Sequence, residues 1–153
     1  MGNRKFITLG KGATWLIKVQ NPDGGWGETC FSHNDRSLKG KGDSTLSQTA
    51  WALIGLIPGG EALCKIPIDS LEKGINYLLE TQRSDGAWDE SYFTGTAFPC
   101  HFYLKYHLYQ QYLPLIALGR YQAMKIRIQK SEVRSQESGV RMFKKLLNYQ
   151  ISR

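Results

Sequence analysis

One segment of this chain occurs twice, and the repetition restricts its fold more than any other feature. Lys11-Gly12-Ala13-Thr14-Trp15-Leu16-Ile17-Lys18-Val19-Gln20 runs into Asn21-Pro22-Asp23-Gly24-Gly25-Trp26-Gly27-Glu28. Sixty-two positions later, Lys73-Gly74-Ile75-Asn76-Tyr77-Leu78-Leu79-Glu80-Thr81-Gln82 runs into Arg83-Ser84-Asp85-Gly86-Ala87-Trp88-Asp89-Glu90. Lys, Gly, an aromatic residue, Leu, Gln, Asp, Gly, Trp and Glu all return in one register. Repeats of this size are supersecondary units that bury their apolar faces on one another.

Each copy reads as a helix that stops in a tight turn. Trp15, Leu16 and Val19 share a helical face, as do Tyr77, Leu78 and Thr81. Asp-Gly follows, and glycine supplies the positive φ that a sharp turn needs. A Gln at the helix end can bond free main-chain groups, and a Trp six residues on can fold its ring back onto that amide. Gln20, Gly24 and Trp26, with Gln82, Gly86 and Trp88, are therefore expected to be structural clamps, not catalysts.

A second helix lies between the copies. Ser44 or Ser47 can cap it, Thr49 to Ile57 is apolar nearly all round, and Pro58-Gly59-Gly60 is expected to end it. After the second copy, Phe102 to about Met124 reads as a long helix interrupted at Pro114. The tail shows a break at Ser138-Gly139. It then sets Val140, Phe143, Leu146 and Leu147 against Arg141, Lys144 and Lys145. No β pattern is evident. Paired helices in tandem predict an all-α chain that forms part of an α/α barrel, with residues 1–124 as the barrel portion and 125–153 as a basic tail.

Several classes of protein are excluded. The longest apolar run, the eight residues Ala50 to Ile57, falls well short of the roughly 20 needed to span a membrane. The N-terminal Met-Gly-Asn-Arg-Lys carries no signal-peptide pattern. Cys30, Cys64 and Cys100 are odd in number and far apart, which argues against a disulfide framework. Gly40-Lys41-Gly42-Asp43-Ser44-Thr45 lacks the spacing of a phosphate-binding loop. Cys30 with His33, and His101 with His107, form no tetrahedral metal set. The carboxylates Asp23, Glu28, Asp85, Asp89 and Glu90 sit near turns and read as caps.

The net charge of +7 is unevenly placed: the nine Lys and Arg from Arg120 onward meet only Glu132 and Glu137, which accounts for all of it. A tail of this kind is either a solvated terminal helix or an amphipathic helix at an anionic membrane surface, where each basic residue adds about 1 kcal/mol. No aromatic interleaving accompanies the charge, so nucleic acid is not an expected partner.

Phe98, Phe102, Tyr106 and Tyr109 are spaced four, four and three apart. On a helix they would form one stripe, and that stripe fits either core packing or an aromatic wall that steadies a cation at about 0.5–2 kcal/mol per ring.

The Lys-Gly…Trp-Leu…Gln…Asp-Gly-Gly-Trp pattern resembles the QW repeat of triterpene cyclases. Ser47-Gln48-Thr49-Ala50-Trp51-Ala52-Leu53 is similar to the squalene–hopene cyclase sequence after that repeat. Thr94-Gly95-Thr96-Ala97-Phe98-Pro99, Phe102-Tyr103-Leu104-Lys105-Tyr106-His107 and Ala117-Leu118-Gly119-Arg120-Tyr121 resemble the C-terminal end of the same family, with Ala97 where the family usually has Gly. The resemblance covers about residues 9 to 124. It implies the terpenoid cyclase toroid and a carbocation cascade from squalene to hopene or hopanol, in hopanoid biosynthesis, with no cofactor and no metal. It also implies that Phe98, Phe102, Leu104, Tyr106 and Tyr109 line the substrate cavity and stabilise its cations.

The family initiates its cascade with a D-x-D-D acid motif, which does not occur in this sequence. No catalytic acid can therefore be assigned. The expectation is the C-terminal part of a cyclase, inactive alone and binding squalene only when assembled with an N-terminal part. The alternative is a non-catalytic split-gene partner or remnant that docks on another chain. The apolar end helices imply self-association or a partner chain. The squalene substrate implies peripheral or monotopic attachment on the cytoplasmic side of a membrane.

Overall fold

A computed structural model describes the backbone of residues 2–63, 68–98 and 101–151 and the side chains of residues 10–57, 68–96, 98 and 101–137. Cys64, Cys100 and the tail side chains Val140, Arg141, Phe143, Lys144, Lys145, Leu146 and Leu147 lie outside the described residues. The chain divides into two compact units, residues 1–120 and 121–153.

In the first unit, α1 (Gly2–Lys18) leads through a turn and two short 3-10 segments, Cys30–His33 and Arg36–Leu38, to α2 (Leu46–Leu63). α3 (Ile68–Glu80), a second turn, a hairpin of β1 (Gly95–Phe98) and β2 (Phe102–Leu104), and the start of α4 (Tyr109–Ile151) follow. α2 packs against both α1 and α3. That position explains its composition. Ala50, Ala52, Leu53, Leu56 and Ile57 are buried around most of its circumference, as a helix enclosed by neighbours requires. Leu71, Ile75 and Leu78 of α3, with Trp26, Trp88, Leu113 and Ala117, complete the core.

The two turns repeat one common set of hydrogen bonds. Gly24 and Gly86 have φ of 88° and 84°, the left-handed region that suits glycine. Asn21 N–H donates to the Gly25 carbonyl and Arg83 N–H to that of Ala87, both at 2.9 Å. Gln20 Nε2 donates to the Gly24 carbonyl and Gln82 Nε2 to that of Gly86, each at 2.8 Å. The indole acts through its N–H: Trp26 donates to the Leu16 carbonyl at 2.7 Å and Trp88 to that of Leu78 at 2.8 Å. These carbonyls belong to the last turns of α1 and α3, where Leu16 also accepts from Val19 N–H at 3.2 Å and Leu78 from Thr81 Oγ1 at 3.3 Å. The rings are almost wholly buried, Trp26 3% and Trp88 1% exposed.

Five local readings of the sequence are corrected. α2 is capped by Thr45, whose Oγ1 accepts from Gln48 N–H at 3.2 Å, rather than by Ser44 or Ser47. Glu90 reaches the same helix end, accepting from Ser47 N–H and Oγ at 2.8 Å each. α2 also continues past Pro58-Gly59-Gly60 to Leu63. An internal proline removes one hydrogen bond, a cost the buried turn before it can offset. Likewise α4 runs through Pro114 and through Ser138-Gly139 without a break; Pro114 is itself fully buried. Finally, the helix expected from Phe102 begins only at Tyr109, and β1 and β2 take its first part, pairing Gly95 with Leu104, Thr96 with Tyr103 and Phe98 with Phe102. Phe98 precedes a proline, which disfavours the helical conformation there. β-branched and aromatic residues then suit a strand.

Candidate functional site

The hairpin changes how the aromatic residues are grouped. Instead of one helical stripe there are two sets. Phe98 and Phe102 are cross-strand partners, which puts their side chains on one face of the ribbon. Both are open to solvent, 69% and 54% exposed. Leu104 closes the ribbon opposite Gly95 and is half-buried. Hydrogen bonds from Thr94 N–H to the Leu104 carbonyl at 2.7 Å and from Thr96 Oγ1 to the Phe102 carbonyl at 2.9 Å hold the ribbon.

The second set is a four-ring cluster. Tyr109, the first residue of α4, stacks on Tyr106 with centroids 4.8 Å apart and planes 20° from parallel. Trp51 of α2 meets Tyr109 edge-on at 5.3 Å and Tyr112 does so at 5.5 Å. Tyr106 N–H donates to Thr94 Oγ1 at 3.1 Å, tying this cluster to the residue that leads into the hairpin. The structure therefore joins Tyr106 to Tyr109 and Phe98 to Phe102. Trp51 and Tyr112 are additions that the residue pattern alone did not single out. Trp51 lies within a helix that is apolar nearly all round, so periodicity could not mark it as the position left 42% exposed.

A cavity of about 590 Å³ opens beside Trp51, bounded by Trp15, Val19, Trp26, Thr94 and Thr96. A second, of about 420 Å³, is bounded by Phe31, Tyr92, Phe93 and Tyr103. Glu28, Thr29, Cys30 and Gln48 line both. Burial pushes the Cys30 thiol up, which leaves it a weak nucleophile. The carboxylates are occupied as caps and turn residues. Asp23 accepts from Gly25 N–H and Ser44 Oγ, Asp85 from Ala87 N–H, and Glu28 from Gly40 N–H at 2.6 Å. What this region offers chemically is therefore π surface and apolar volume.

The structure also extends the repeat. Gln48 Oε1 accepts from Glu28 N–H at 2.6 Å, and Gln110 Oε1 accepts from Glu90 N–H at 3.2 Å. Thr49 Oγ1 accepts from Trp26 N–H at 2.9 Å, and Gln111 Oε1 accepts from Trp88 N–H at 3.2 Å. Each pair is again 62 positions apart. The signal was present in the sequence: Leu46, Gln48, Leu53, Ile54 and Leu56 return as Leu108, Gln110, Leu115, Ile116 and Leu118. α2 and the start of α4 are thus equivalent elements, each pinned to the turn before it.

The squalene–hopene cyclase C-terminal domain matches residues 3–123. The chain is 53% identical over 136 residues to the dammaradiene synthase of Dryopteris crassirhizoma, covering 82% of this chain and 19% of that protein. It is 48% identical over 120 residues to the squalene–hopene cyclase of Zymomonas mobilis, covering 78% and 18%. Against the squalene–hopene cyclase of Alicyclobacillus acidocaldarius it is 54% identical over 95 residues, covering 62% and 14%. The chain thus spans less than a fifth of the length of these curated relatives. Its tandem helices, matched turns and aromatic C-terminal segment are those of the helical terpenoid cyclase fold, and the chain belongs to the squalene–hopene cyclase C-terminal domain family.

Proposed function

We propose that this chain is the C-terminal part of a squalene–hopene cyclase-type enzyme, which folds squalene and shields the cations of its cyclisation to hopene or hopanol. The observation that carries this reading is the exposed aromatic surface of Phe98, Phe102 and Tyr106, with Tyr109 stacked half-buried on Tyr106, within a chain of this family. Ring faces lower the energy of a carbocation without supplying a base that would quench it, and each adds about 0.5–2 kcal/mol, more when water is excluded. Leu104 contributes apolar wall. The reaction also needs a proton donor at the terminal alkene. No D-x-D-D motif is present and the carboxylates near the rings are engaged in turns, so the chain acts only when joined to a part that supplies the acid. The clamps of Gln20, Gly24, Trp26, Gln82, Gly86 and Trp88 support the reading by tying the two turns to α1 and α3.

A chimera tests this proposal. Residues 3–123 replace the matching region of a full-length squalene–hopene cyclase. The chimera should convert squalene to pentacyclic product, and Phe102→Ala should shift that product toward prematurely terminated rings. A folded chimera with no turnover would sink the reading.

The apolar rings and basic tail also suit an enzyme whose substrate dissolves in the bilayer, and we place the assembled protein at a membrane surface as a peripheral component. Among the described residues, no helix is long and apolar enough to cross a membrane. Along α4, Lys125, Lys130 and Arg134 are exposed, as are Ile126, Ile128 and Val133.

A further inference from the structure

The internal repeat separates what the scaffold requires from what is added to it. The register that pairs Gln48 with Gln110 also pairs Ser44 with Tyr106, Ser47 with Tyr109, Ala50 with Tyr112 and Trp51 with Leu113. The first copy thus enters its helix with small residues where the second carries three tyrosines. Ser47 Oγ donates to Glu90, whereas Tyr109 packs on other rings. Leu113 in turn is a buried core residue, so an aliphatic side chain suffices at the position that Trp51 fills. Each of the four rings stands where the other copy does without one, and the scaffold does not require them.

The rings do not contribute equally to the cluster. Tyr106 and Tyr112 lie on the same stretch of chain as Tyr109, so neither ties it to another element. Trp51 approaches from α2. That helix is fixed by the burial of Ala50, Ala52 and Leu53 on either side of the indole, and by Gln48 Nε2, which donates to the Glu28 carbonyl at 3.1 Å. The indole meets Tyr109 at 5.3 Å with the planes 75° apart, an edge-to-face arrangement that aromatic pairs favour. It makes this contact while Tyr109 lies stacked on Tyr106. A side chain has separate staggered positions about its first bond, and the contact with Trp51 favours the stacked one.

We propose that Trp51 is a positioning residue for cation stabilisation: its indole holds the Tyr109 ring flat on Tyr106 and so fixes where that π surface stands. The inference rests on the proposed function for the cation itself, and it adds a residue that acts on the aromatic wall through Tyr109. Attraction between a ring and a cation requires the ring face within about 6 Å of the charge. Groups that stabilise a reacting centre work only when neighbours hold them in place, to about 0.5 Å. With Tyr109 free to turn, the cation it would have steadied loses its proton early, and the cascade stops at fewer rings.

Two measurements test it, each on Trp51→Leu and Trp51→Phe. Leucine is the residue that the second copy carries at this position, and it favours helix; phenylalanine restores an aromatic edge. The first measurement uses the full chain with isotope-labelled tyrosine rings. The nuclear Overhauser contact between Tyr106 and Tyr109 should fall about threefold or more in Trp51→Leu, the population change that loss of one aromatic pair gives. It should stay near its original strength in Trp51→Phe, with equal helix content by circular dichroism in all three chains. An undiminished contact in Trp51→Leu, or one lost equally in Trp51→Phe, overturns the proposal. So does a loss of helix content in Trp51→Leu, which would assign the indole to the core. The second measurement is the product profile of the cyclase chimera. Trp51→Leu should raise the share of prematurely terminated product by about threefold or more, and Trp51→Phe should return it toward the original share. An unchanged profile in Trp51→Leu overturns the proposal. A folded chimera without turnover sinks the proposed function instead, and the ring contact then decides by itself whether Trp51 holds Tyr109.

Discussion

At the scale of single residues, the two turns are a matched pair with one informative difference. Gly24 and Gly86 share the left-handed conformation, which costs a side-chain-bearing residue about 1–2 kcal/mol. They differ in surroundings: a Cβ on Gly24 would lie 2.5 Å from the Lys73 carbonyl oxygen, whereas one on Gly86 would find its nearest neighbour, Gln82 Nε2, at 4.0 Å. Gly86→Ala should therefore lose about 1–2 kcal/mol, and Gly24→Ala that amount plus the cost of displacing α3. Urea denaturation of the two variants measures the difference, and equal losses would mean that the turn does not press on α3 as described. Tyr77 gives a second check. Its hydroxyl donates to the Ser44 carbonyl at 2.9 Å. Burial first, then the charges of Asp23 and Glu90, push its pKa up to about 12. Between the ordinary value near 10 and this one, the unfolded chain has lost the proton and the folded chain keeps it, so stability falls as pH rises through that window. Tyr77→Phe should flatten that part of the fall, as read from urea midpoints at pH 9.5 and 11.5. An unchanged slope would contradict the assignment.

At the scale of elements, sequence patterns worked where one physical constraint dominated and failed where two competed. The helix–turn units were legible because the repeat sets nine identities or likenesses in one register, and α2 because burial on both sides leaves a helix without a polar stripe. The hairpin was not legible. Phe98, Phe102, Tyr106 and Tyr109 keep helical spacing, but Thr94, Thr96 and the residue before Pro99 favour extended backbone, and the local preference prevails. Proline and glycine do not stop α2 or α4. The site was legible in part. Spacing set Phe98, Phe102, Tyr106 and Tyr109 in one stripe, whereas the coordinates divide them and group Trp51 and Tyr112 with Tyr109, because only the tertiary fold brings α2 beside Tyr109. The tail belongs at this scale too. Deleting residues 125–153 should abolish flotation of the chain with vesicles of anionic lipid and leave neutral vesicles unaffected. Undiminished flotation after the deletion would show that the tail is not the contact.

At the scale of the whole molecule, the described surface is rich in large apolar residues. Trp15, Phe93, Phe98, Phe102, Leu108 and Leu115 are all large, apolar and exposed, an arrangement that marks an interface or a ligand-lining wall. Residues 3–123 carry the family's C-terminal domain, and the sequence contains no D-x-D-D motif. The most direct test of this account is squalene turnover measured by mass spectrometry on two samples, the chain alone and the chain co-purified with the N-terminal remainder of a squalene–hopene cyclase. The account predicts pentacyclic product from the complex and none from the chain alone. Hopene formed by the isolated chain, or a stable complex that leaves squalene untouched, would contradict it.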